Sequence, residues 1–405
     1  MSNRNISTTL SWRLCIGLGL FVAGLAGCSS DDGGPPPSGT GIQISIAPDA
    51  TAPPDSSIPD SSRDGFLSTT DASDASDASD AFAAPPGDAG APEASSAQSN
   101  ILIADQFNNR VIEIDSNGNV VWQFGNGQAV AGPTSVVAPN DAERLRNGQT
   151  LISGTGDPTA KGPACAALGT GPCPDNRVLL VNQDGGIAWT YTDLNLPACG
   201  RVLANGDVLI ADQGNNRVIE VPSDAGPTAG PILTLGPAID GAGTLAGPSC
   251  AERTTSGTTL IADKGNGRAV ELASDGGLVW QFVLPLTNGA PPQVAYASRL
   301  PNGNTLITDT TDALIVEVAA DGGVVWTYRD VDDGGPTGPT RAVRLANGHT
   351  LISDETDSRV FEIDNGNPPA IVASFHRLAG IGGTLNGPHD AKRVNDYTGI
   401  SAPPQ

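Results

Sequence analysis

Basic residues and histidines are scarce in this chain: 21 Lys and Arg stand against 44 Asp and Glu, and there are three His. A formal net charge of −23 repels phosphate backbones and anionic headgroups. Nucleic acid is therefore excluded as an expected partner. The motifs of common catalytic machinery are missing as well: there is no Gly-x-Ser-x-Gly elbow, no His-Glu-x-x-His pair and no phosphate-binding glycine loop. Aromatic residues make up only 4% of the chain. Long apolar runs are absent except at residues 14–25, and that run is too short to span a bilayer comfortably.

What is present begins with an export signal. Arg4 and Arg13 precede the apolar run, and Leu25-Ala26-Gly27-Cys28 follows it. The exit resembles the lipobox of bacterial lipoproteins. That resemblance implies a signal over residues 1–28, lipidation of Cys28, and, because Ser29 rather than Asp follows, an outer-membrane anchor facing the periplasm or the exterior. An ordinary signal cut near Gly27 is the alternative. Residues 29–99 are rich in Ala, Ser, Asp and Pro, with eleven Asp and one Glu against Arg63 alone. Such a segment cannot bury enough apolar surface to offset its chain entropy and is expected to be a disordered tether. The membrane is thus expected to be touched only through the lipid.

After residue 100 the chain repeats itself. Three signals recur: a run of the form Thr-Leu-Ile-x-Asp, then Arg-Val-Ile-Glu-Ile, then Val-Val-Trp-x-Phe/Tyr, divided by turn dipeptides such as Asn302-Gly303. Each unit reads as a four-stranded antiparallel meander. The second strand occurs six times, starting at Ile101, Thr150, Val208, Thr259, Thr305 and Thr350. The first strand also occurs six times, at residues 142–146, 200–203, 251–254, 297–300, 342–345 and 391–394, but displaced: the first unit lacks it and the last copy has no unit after it. Ring closure explains the offset. The expectation is an all-β, six-bladed β-propeller over residues 100–398, with 391–394 completing the blade begun at Ile101 and residues 399–405 as a tail. An open solenoid is the rival architecture.

Within the repeat, Trp122, Trp189, Trp280 and Trp326 hold one position and are expected to pack between blades. The recurring Asp at the end of the second strand and Arg at the start of the third are expected to tie the intervening turn. Asp212-Gln-Gly-Asn-Asn-Arg-Val218 and Asp105-Gln-Phe-Asn-Asn-Arg-Val111 resemble NHL repeats. Ala342-Val-Arg-Leu-Ala-Asn-Gly-His-Thr-Leu351 and Asp321-Gly-Gly-Val-Val-Trp326 resemble the repeats of arylsulfotransferase-like and quinoprotein-like (PQQ-like) propellers. These families imply the fold. They include scaffolds, lyases and sulfotransferases, so they imply no single activity.

A specific site is expected where the copies differ. The position just before the first strand reads Asp390, Asp141, Cys199, Cys250, Tyr296 and Arg341 around the ring, flanked by His389 and Asn140 among others. Resemblance to arylsulfotransferase-like propellers makes His389, Asp390 and Arg341 the candidate catalytic set, and Asn140, Asp141 and Tyr296 join them as candidate ligand-binding residues. His349 and His376 fall elsewhere and leave the sulfotransfer set incomplete. Asp141 and Asp390 could alternatively hold a hard cation such as Ca²⁺; no other cofactor is expected. Removing Cys15 and Cys28 leaves four cysteines and three possible pairings. Corresponding positions in consecutive blades favour Cys199–Cys250 over a soft-metal site with His389, and proximity in one insertion favours Cys165–Cys173. The expected function is a monomeric binding scaffold for a protein, peptide, glycan or small-molecule ligand. The alternative is an arylsulfotransferase-like or NHL-lyase-like enzyme.

Overall fold

The computed structural model describes residues 99–403 apart from 240, 288, 330–333 and 401. The export signal, Cys28 and the tether expected over residues 29–99 lie outside the described residues, save Ser99. Six sheets of four antiparallel strands are formed, one per repeat, and the chain is a six-bladed β-propeller.

Blade 1 is assembled from both ends of the sequence: Pro388–Arg393 is its innermost strand, followed by Ile101–Asp105, Arg110–Ile114 and Val120–Phe124. The closing pair is antiparallel with Ile103 opposite Ala391 and Ile101 opposite Arg393, the displaced pairing that the repeat count requires. The other innermost strands are Pro139–Arg144, Pro197–Val202, Pro248–Arg253, Val294–Arg299 and Pro339–Arg344, opening blades 2 to 6. Second strands such as Val208–Asp212 and Thr259–Asp263 are buried along their whole length, which is why they read as unbroken apolar runs rather than alternating ones.

The innermost strands start three residues earlier than the sequence repeat indicates, at Pro139 rather than Ala142 for instance. A β-bulge is the physical reason. In blades 2 to 6 the ladder slips between the first and third residue of this strand, and in blade 1 the slip falls between the partners of Asp390 and Pro388. The skipped residue breaks the apolar pattern that marks the strand in the sequence.

Turn chemistry ties each blade to the loop that leads into it. Arg110, Arg217 and Arg268 each donate from Nε to Asp105, Asp212 and Asp263 at 2.7 Å, as the repeat implied. The same Asp carboxylates accept backbone N–H groups from the loop entering the innermost strand of their own blade, at Asn386, Asn195 and Ala246. Blade 2 has Gly154 where the Asp is expected. Asp175 fills the vacancy from the third strand: its carboxylate pairs with Arg177 and accepts from Val137 N at 2.7 Å, and it occupies the space a Cβ on Gly154 would need.

Junctions are closed on the outside by aromatic and ionic contacts. Indole N–H groups of Trp122, Trp189 and Trp280 donate to carbonyls of the next blade at Gln183, Ala225 and Ala320. The arginine ending an innermost strand pairs with a glutamate in the third strand of the preceding blade at five junctions: Arg144–Glu113, Arg253–Glu220, Arg299–Glu271, Arg344–Glu317 and Arg393–Glu362. Residues that follow the closing strand pack against the ring. Tyr397 donates to the Arg144 carbonyl, Asp396 accepts from Ala346 N, and Ile400 is buried in the core cluster. Both disulfides expected from the sequence are present, Cys165–Cys173 beside the short helix Pro163–Leu168, and Cys199–Cys250 across blades 3 and 4.

Candidate functional site

The bulge turns the third residue of every innermost strand toward the central axis, and the strand period of two carries the fifth residue to the same side. The third-residue ring is the one the sequence singled out: Asp390, Asp141, Cys199, Cys250, Tyr296 and Arg341, every member buried. The fifth-residue ring is Lys392, Glu143, Arg201, Glu252, Ser298 and Val343. Its charged members were not anticipated, although a two-residue step along each strand would have found them.

The two rings make one ionic network. Asp141 receives three cations: Arg201 at 2.8 Å, Arg341 at 2.9 Å and Lys392 at 2.8 Å. Burial alone would push its carboxyl up, but these partners outweigh burial and hold it well below the usual range. Asp390 pairs with Lys392 and, at 3.0 Å, with Arg341 Nε, and accepts from Ala142 N. The Lys392 ammonium thus stands between Asp141 and Asp390, the two carboxylates considered for Ca²⁺. Burial lowers the lysine, assisted by Arg341 and opposed by both aspartates. Tyr296 donates to Glu252, and the Arg341 guanidinium lies 3.7 Å from the tyrosine ring centre. Among the described residues neither oxygen of the buried Glu143 has a hydrogen-bond partner, and burial pushes its carboxyl up to about 7.

His389 and Asn140 occupy bulge positions, one residue before the axis ring, and do not share it. The His389 ring is oriented by its neighbour blade: Nδ1–H donates to the Asn140 carbonyl at 2.8 Å, while the Asn140 side chain accepts from Gln106 at 2.6 Å. Burial lowers the imidazole, with Glu355 opposing and Lys264 assisting, so it is neutral at pH 7 with Nε2 unprotonated. Lys264 is lowered by burial as well and is coupled to the same Glu355 and to Lys161. The structure therefore brings together Asp141, Tyr296, Arg341 and Asp390 as one buried cluster and sets His389 and Asn140 apart at the N-terminal ends of the strands, with Lys264 and Glu355. His349 pairs with Glu362 at 2.7 Å and His376 contacts the Ser358 carbonyl, both away from the axis ring. At the opposite ends of the strands, in blades 3 to 5, a cavity of about 650 Å³ is lined by Leu203, Glu252 and Leu300 and covered by Tyr397 and Ile400.

Fold and axis together define a six-bladed propeller whose channel is closed by charge pairing. The sequence matches no family model and no curated protein. Among solved structures it is similar to a protein of unknown function from Bacteroides caccae, with 15% identity, 66% of this chain and 90% of that chain covered, and a TM-score of 0.47. A streptogramin B lyase aligns with 15% identity over 67% of this chain and 78% of its own, at a TM-score of 0.47. A catalytically inactive virginiamycin B lyase from Staphylococcus aureus with quinupristin gives 13%, 68%, 84% and 0.44. Likeness at this level says nothing about activity.

Proposed function

We propose that this chain is a lipid-anchored binding scaffold of the bacterial outer membrane, presenting the N-terminal ends of its innermost strands to a protein, peptide or glycan. One observation carries the reading: Asp141, Asp390 and Arg341 are buried against one another and neutralised by Lys392 and Arg201. A carboxylate held far below its usual range is a weak base, and a guanidinium committed to carboxylates cannot clamp a transferring sulfuryl group. The groups left for recognition are those around His389, Lys264 and Glu355, which differ from blade to blade. The anchor rests on the motif ending at Cys28, and the acidic segment behind it would hold the propeller off the membrane. Ring closure leaves no terminal strand of the array unpaired, which supports a monomer.

A second reading as an arylsulfotransferase-like or lyase-like enzyme is favoured by His389, whose neutral imidazole has the protonation state of a general base. The test is to incubate the full-length protein with phenyl sulfate donors, with quinupristin, and with each after chelation. No turnover above the uncatalysed rate is expected. Turnover that disappears in His389→Ala would overturn the scaffold reading. On peptide and glycan arrays, ligands retained by the wild type are expected to be lost with Lys264→Glu; retention of all of them would remove this face as the binding surface.

A further inference from the structure

Five of the six blade junctions are closed by an arginine and glutamate pair, and the junction between blades 2 and 3 is the exception. There the two positions are Val202 and Leu180. The tryptophans show the consequence. Arg144, Arg299 and Arg344 lie over the rings of Trp122, Trp280 and Trp326 at 4.4, 5.1 and 4.8 Å from the ring centres. Trp189, at the same position in blade 2, meets Val202 instead. Exchanging the pair for two shorter side chains leaves a hollow of about 150 Å³ over the indole, walled by Leu151, Leu180, Trp189, Val202 and Val208.

We propose that this hollow binds one small uncharged aromatic molecule, and the inference stands independently of the scaffold reading. Size is the first argument: an apolar cavity of about 150 Å³ accommodates benzene. Charge is the second. An aromatic face alone would attract a cation, but the glutamate that accompanies the arginine elsewhere is leucine here, so a buried cation would have no counter-ion. The indole N–H is already bonded to Ala225 at 3.1 Å, which leaves the occupant a ring face and aliphatic walls. Other polar groups of the lining, Asn147, Gln149 and Ser223, belong to the turns around the hollow.

Toluene and its cationic isostere N-methylpyridinium distinguish the two chemistries. Calorimetric titration of the full-length protein is expected to show saturable binding of toluene and at least tenfold weaker binding of N-methylpyridinium. The double variant Leu180→Glu/Val202→Arg, which copies the five closed junctions, should abolish toluene binding. Val202→Met, which fills the hollow without adding charge, should do the same if the charged variant does not fold. Absence of toluene binding to the wild type, survival of binding in Val202→Met, or tighter binding of the cation would each overturn the proposal.

Discussion

Glu143 lies on the axis beside Lys392 and Arg201, yet neither of its oxygens is hydrogen-bonded among the described residues. Its folded pKa of about 7 lies above the unfolded value near 4.5, so the folded state binds the proton more tightly. Stability from this group is therefore present below pH 4.5 and is lost as pH rises through 7, with a full amplitude of about 3 kcal/mol. Glu143→Gln is expected to flatten that part of the profile and to raise the urea midpoint above pH 7. Equal midpoints for wild type and variant at pH 8 would refute the assignment. Asp141 has the opposite character. Replacing it with Ala leaves Arg201, Arg341 and Lys392 short of a shared counter-charge, and a loss of about 3–5 kcal/mol is expected in denaturant titrations. At this scale the sequence was half legible. The third-residue ring could be read because its members break an otherwise regular repeat, whereas Lys392, Arg201 and Glu252 sit two residues further along strands the repeat had already delimited and were passed over because only the position before each strand was compared from blade to blade.

At the scale of strands and turns, each blade solves the same problem with nearly the same residues, and the departures are paired. Gly154 is matched by Asp175, and Val202 by Leu180. Gly154→Ala would push the Asp175 carboxylate off Arg177 and Val137 N, and about 1–3 kcal/mol of destabilisation is expected by chemical denaturation. Arg144→Val should cost a similar amount by stranding Glu113, while adding Glu113→Leu should recover most of it, since the pair then copies an existing junction. A double-mutant cycle with no recovery would show that the junctions are not interchangeable. The strands, the hairpin turns and the structural role of the tryptophans were legible from periodicity and from repetition at equivalent positions. The compensation by Asp175 was not, because it comes from a different strand and only the folded pairing brings it opposite Gly154.

For the molecule as a whole, two covalent or topological ties resist opening of the ring. One is the closing strand Pro388–Arg393, inferred from a count of displaced repeats and seen opposite Ile101–Asp105. The other is Cys199–Cys250, which closes a loop of sequence separation 51. Its removal in Cys199→Ser/Cys250→Ser is expected to lower stability by about 4 kcal/mol in the chain-entropy account, and the wild type treated with reductant should shift toward the variant. Identical midpoints for the oxidised wild type and the variant would argue against that contribution. Beyond the last strand, Ile400 is buried in the core cluster; nothing in the period of the repeat extends that far.

Near-copies threaded on one chain carry a hazard, because any blade could dock beside the wrong neighbour and still satisfy its strands. The unlike charges on the axis act as an address. Asp141 in blade 2 is matched only when blade 1 brings Lys392, blade 3 brings Arg201 and blade 6 brings Arg341. Shuffling the order of blades would leave every local sheet intact and still strand ions in the middle, so the centre of the molecule records the order in which its parts must meet.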